Sequence, residues 1–127
     1  MNLSHCRAVD KLSGEWITGW YARIHNTHLL YITPEDSAML LSREIIPDTL
    51  CHCTGLVDWA GYLIYAGDIV WDRISKKFAV VDWVADYARF VLYYLGATGG
   101  FDVVDTFDLG IVGDIFHNPE IVPWYFK

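Results

Sequence analysis

The sequence predicts an α+β chain, mainly β: an N-terminal β-hairpin and a short helix, followed by a small five-stranded barrel. Three observations lead there. β-Branched and aromatic residues crowd Glu15 to Thr33 around a single turn, a proline-led helix start follows at Thr33, and from Asp68 onward short apolar runs alternate with polar or glycine-rich breaks.

Each element has a local reason. In EWITGWYARIHNTHLLYIT, His25-Asn26-Thr27 is the only turn-like interruption, so the segment folds back on itself as a hairpin. Thr33 is placed to cap a helix, Pro34 suits its first turn, and Glu35 and Asp36 oppose the helix dipole, which predicts a helix over Pro34 to Arg43. Glu44 to Thr54, with Pro47 and Asp48, reads as a connector and divides the chain into regions 1–47 and 48–127. The five later strands are DIVWDRI, FAVVDWV, ARFVLYYL, FDVVDTF and LGIVGDIF. In FAVVDWV, Phe78, Val80, Asp82 and Val84 share one face and Ala79, Val81 and Trp83 the other. Both faces are largely apolar, so one is expected in the core and the other at an interface.

Composition narrows the class. The chain has 127 residues, 54% of them hydrophobic and 16% aromatic, which suits one globular domain and excludes a disordered chain. Nine basic residues against 16 acidic ones leave −7, spread as 4 against 6 in Met1–Val57 and 5 against 10 in Asp58–Lys127. That acidity argues against a partner that is read through its phosphates. No run reaches the ~20 apolar residues of a membrane helix. Met1 to Lys11 carries His5, Cys6, Arg7 and Asp10 where a signal peptide needs an apolar stretch, so the expected location is the cytoplasm. Three cysteines, an odd number without framework spacing, fit a reducing compartment.

Residues 54–70 read T-G-L-x-D-x-x-G-x-x-I-Y-x-G-D-I-V. With GEWITGWY near the N-terminus and the closing VGDIFHNPEIV, this pattern resembles the YopX family of phage and prophage proteins, in the same order over roughly residues 14 to 122. The resemblance implies a small, mostly β protein with an SH3-like five-stranded barrel over roughly Thr54 to Val122, encoded by a temperate phage or prophage. It implies no reaction, substrate or cofactor. The chain departs from the family at Cys51-His52-Cys53, where members usually carry Gln and an aromatic residue, and in its apolar stretch from Trp71 to Leu95. The motif also has a purely physical reading as a fold signature. Gly55 and Gly61 bracket a turn whose backbone donors Asp58 can satisfy, Gly67-Asp68 opens the next strand, and Ile64 and Tyr65 pack beneath it.

Candidate chemistry is thin. Cys51 and Cys53 point one way along an extended segment and His52 the other, so no metal or other cofactor is expected there. Asp82, Asp86, Asp102, Asp105, Asp108 and His117 lack a diagnostic catalytic spacing, and no phosphate loop or nucleophile elbow is present, so no enzyme is expected. Nucleic acid is an unlikely partner, since ten acids face five cations in the second half, and a nucleic-acid-binding regulatory protein stands only as a further alternative. What remains is protein binding through an aromatic and acidic surface at Trp83, Asp86, Tyr87, Asp102 and Asp105. The expected partner is a second copy of the chain, giving a homo-oligomer, or a phage or host protein. An alternative is a small acidic inhibitor of a host nucleic-acid-binding protein such as a nuclease or CRISPR effector.

Overall fold

A computed structural model describes residues 5–32, 41–84, 88–94, 101–102 and 108–126, with backbone alone at 5, 32, 101 and 102. The chain divides into two compact units, Met1–Cys53 and Thr54–Lys127. The described residues form strands and short 3-10 turns, with no α-helix among them, which agrees with the mainly β character expected from the sequence.

The first unit is an antiparallel meander. Strands β1 (His5–Val9), β2 (Trp16–Ile24), β3 (Thr27–Ile32) and β4 (Leu41–Glu44) follow one another across the sheet, and the start of β5 (Cys51–Val57) lies on the other side of β1. The expected hairpin is β2–β3, closed by His25-Asn26 with His25 at φ 56°. The expected helix ends in a correction. Residues 33–40 lie outside the described ones, but Leu41 to Arg43 are extended and paired with Leu30 to Ile32, because cross-strand partners outweigh local capping signals. Cys6, Ala8, Leu30 and Ile45 make this unit's core, with Ile17, Tyr21 and Leu50 against them. Asp10 is buried at its edge. Burial pushes its carboxyl up, but the Ser13 hydroxyl, the Leu12 N–H and the Arg43 guanidinium together hold it below the usual carboxylate range.

The second unit carries the end of β5, β6 (Leu63–Tyr65) and a sheet of β7 (Asp68–Asp72), β8 (Lys77–Val84), β9 (Arg89–Tyr94), β10 (Phe101–Asp102) and β11 (Leu109–Asp114). Among the described residues five strands therefore follow residue 67, the number that the apolar rhythm predicts. Their order is β10-β9-β8-β7-β11, which leaves β10 and β11 at opposite edges: an open sheet, with no closed barrel among the described residues. Its apolar faces are buried by layering instead. Val70, Ala79, Val81, Leu92 and Leu109 pack with Ile64 on one face. Ile69 and Val80 on the other are covered by Ile115, Ile121, Val122, Trp124 and Tyr125.

That second cover takes up the Val80 and Asp82 part of one face of FAVVDWV and leaves Phe78, at its start, exposed. The 3-10 turns Pro119–Ile121 and Pro123–Phe126 lay their side chains over the covered part. Tyr125 donates its hydroxyl to the Asp82 carboxylate at 2.9 Å and tilts its ring toward Tyr93. The polar residue in an otherwise apolar row thus becomes an anchor for the covering segment.

Candidate functional site

The residues of the 54–70 motif are spent on backbone. Asp58 is buried and its carboxylate accepts from the N–H groups of Ala60 (3.0 Å), Tyr62 (2.9 Å) and, across on β11, Ile111 (3.0 Å). Gly61 closes this turn at φ 89°. Asp68, also buried, accepts from the Tyr65 N–H at 2.8 Å, and Gly67 between them stands at φ 90°, a conformation that favours glycine. Gly55 lies in β5, where Thr54 donates its hydroxyl to the Ile64 carbonyl at 2.7 Å.

The same turn delivers an aromatic ring to the sheet. Next to the fixed Asp58, the Trp59 N–H bonds the Leu109 carbonyl at 2.9 Å and its indole lies on Gly110. A Cβ on Gly110 would stand 2.9 Å from the indole nitrogen, so only glycine admits this approach without displacement. Gly110 is opposite Trp71, and Trp71 is opposite Phe78, which puts one row across β11, β7 and β8. Trp71 and Phe78 meet edge to face at 4.8 Å between centroids. Phe78 is 38% exposed and Trp59 61%.

Together Trp59, Trp71, Phe78, Gly110, Ile111 and Val112 line a mostly apolar cleft of about 370 Å³. Its charged end is Arg73 and Asp108. Arg73 donates from Nε to the Asp108 carboxylate at 2.7 Å and from its backbone N–H to the Asp108 carbonyl at 3.2 Å, and its guanidinium stands 5.9 Å from the Trp59 ring centre. Such an exposed pair adds little stability. It does orient the cation and cancel its charge. The β7–β8 turn that carries Arg73 is set by Asp72, which accepts from the Ile74 and Ser75 N–H groups and the Tyr94 hydroxyl. Burial pushes the Asp72 carboxyl up, yet these bonds, the Tyr94 hydroxyl first, hold it below the usual range.

A family model described as YopX protein matches residues 7–122. The chain belongs to the YopX family. No curated protein matches the sequence. In this YopX-family chain the 54–70 motif therefore frames the cleft: its Asp58 turn presents Trp59, and the strand it opens at Asp68 carries Trp71 three residues on.

The surface expected from the sequence is a different one. Trp83 is half-buried on the Ala79–Val81 face, edge to face with Phe90 opposite it on β9. Asp86, Tyr87 and Asp105 lie outside the described residues, and Asp102 is placed only as backbone in β10. Cys51 and Cys53 are buried and alternate with half-buried His52, whose Nδ1 is 3.6 Å from the Cys6 sulfur. Burial, and secondarily Cys53, pushes the Cys6 thiol up to about 11. Among the described residues no group of three His, Cys, Asp or Glu is placed to hold a metal.

The cleft residues were missed because they are far apart in sequence. One signal was available: Trp71 and Phe78 flank the Asp72–Lys77 turn symmetrically, so a hairpin there puts their rings side by side.

Proposed function

We propose that this chain is a non-enzymatic protein-binding module whose partner docks in the cleft of Trp59, Trp71 and Phe78. The observation that carries the reading is the exposure of Trp59 on a position prepared for it. An indole seated on a required glycine, beside a second tryptophan and a phenylalanine, has the composition of an interface centre. The cleft's ionisable groups, Arg73 and Asp108, bind each other, which suits binding better than acid–base chemistry. Family membership supports a phage or prophage setting and action in the bacterial cytoplasm. The partner is another polypeptide, from phage or host, or a second copy of this chain.

The test compares the wild-type chain with a Trp59→Ala, Trp71→Ala double variant. Light scattering reads self-association, and affinity capture from lysogenic host lysate reads other partners. The wild type should self-associate or retain a protein that the folded double variant does not. Identical behaviour of the two chains would remove the cleft from consideration.

A further inference from the structure

We infer that the occupant of the cleft is an extended, proline-containing peptide segment in the polyproline II conformation. This rests on the protein-binding reading and adds the partner's chemistry. Four observations support it.

The first is spacing. Gly110, Trp71 and Phe78 lie directly opposite one another on three adjacent strands. Strands are about 4.8 Å apart, so the row from the Trp59 seat to Phe78 measures about 10 Å. A polyproline II turn rises roughly 9.3 Å over three residues, so residues i and i+3 of a peptide laid across the strands meet the two ends of the row.

The second is hydrogen bonding. The lining is mostly apolar, and the charged groups at its end already bond each other. An ordinary extended peptide would bring one N–H per residue into it, whereas proline brings a flat apolar ring and no donor.

The third is charge. Arg73 and Asp108 cancel, so the cleft is neutral in a chain of net charge −7. A phosphate backbone finds no unpaired cation in it, and a strongly basic peptide finds no unpaired acid.

The fourth is continuity. The row Ile69–Val80 lies on the same face, two residues along from Trp71–Phe78, and it is covered by the chain's own proline-led 3-10 turns. The contacts there come from Ile121, Val122, Trp124 and Tyr125, with Pro119 and Pro123 exposed at the starts of the turns, so non-strand chain carrying apolar side chains is how this sheet face is already closed at one end. The cleft offers the same kind of surface at the other end.

The experiment titrates the full chain with blocked decaproline, with a ten-residue Gly-Ser peptide and ten-residue oligothymidylate as controls, following tryptophan indole N–H signals by NMR. Decaproline should shift the Trp59 and Trp71 signals saturably and leave Trp16 and Trp20 in place. Trp59→Ala should weaken binding at least tenfold, and because that side chain is exposed the variant should keep its thermal midpoint. Gly110→Ala, which displaces the indole without removing it, should weaken binding as well. No saturable shift, an equal shift with the Gly-Ser peptide, or preference for oligothymidylate would overturn the inference. If decaproline fails while the double variant of the preceding test still loses its partner, the peptide chemistry is wrong and the protein-binding reading stands. If both fail, both are wrong.

Discussion

Asp58 is the residue on which the second unit's turn and cleft both depend, and Asp58→Ala measures how much. Its carboxylate accepts from three backbone N–H groups at 2.9–3.0 Å while buried. Ala60 and Tyr62 are exposed, so their N–H groups recover water after the substitution and cost about 0.5 kcal/mol each. The Ile111 N–H sits in the half-buried edge of the sheet, where an unsatisfied donor costs about 1–3 kcal/mol. The sum is about 2–4 kcal/mol, or a fall in the thermal midpoint on the order of 10 °C for a chain of this size. Asp58→Asn keeps one acceptor oxygen and should fall between the two. Urea unfolding at neutral pH, followed by tryptophan fluorescence and circular dichroism, reads the loss as a shift in midpoint at constant slope. A change below about 0.5 kcal/mol would show that the carboxylate does not hold the turn to β11.

Gly113→Ala should destabilise by about 1–3 kcal/mol in the same assay, since a Cβ there would meet the Asn118 side-chain oxygen at 2.6 Å. Unchanged unfolding would mean that Asn118 can leave its bond to the Asp114 N–H without cost. Cys6, Cys51 and Cys53 are all buried, and the Cys6 thiol is pushed up to about 11, so the folded protein should react with a thiol reagent at pH 8 far more slowly than the urea-unfolded chain; equal rates would contradict their burial. Asp10 and Asp72 are held low, so their stabilisation is complete above the unfolded value near ~4 and is lost as pH falls through their folded values. Asp72→Asn should therefore flatten the acid limb of a stability–pH curve, and an unaltered limb would sink the assignment. Tyr94 and Tyr125 are raised, mainly by burial and then by Asp72 and Asp82, so their contribution is present below pH ~10 and lost as pH rises beyond it. Absorbance titration should show both ionising only with alkaline unfolding, and early reversible ionisation of either would count against the packing.

What could be read in advance was what depends on neighbours in sequence. The β2–β3 hairpin follows from alternation around one turn, and the five late strands follow from their breaks. The end of the expected helix failed at Leu41–Arg43 because Thr33 and Pro34 report only local preference, while the β3 partners that decide the matter are brought by folding. Barrel closure failed for a related reason: periodicity shows that FAVVDWV is apolar on both faces but not which segment covers each. The cleft was least legible. Trp59 was hidden in a motif whose other residues serve the backbone, and Gly110 gives no sign of its role until an indole is seen lying on it.

The covering segment also sets an order of events. Val122 lies against Ile69 and Val80, 53 and 42 residues away in sequence, so during synthesis this face of the sheet stays bare until residues 119–126 have left the ribosome. Until then Ile69 and Val80 are available to other nascent chains. Docking of Tyr125 onto Asp82 is then the event that withdraws the sticky surface, and cells making this protein quickly would be most exposed to clumping in the interval before it.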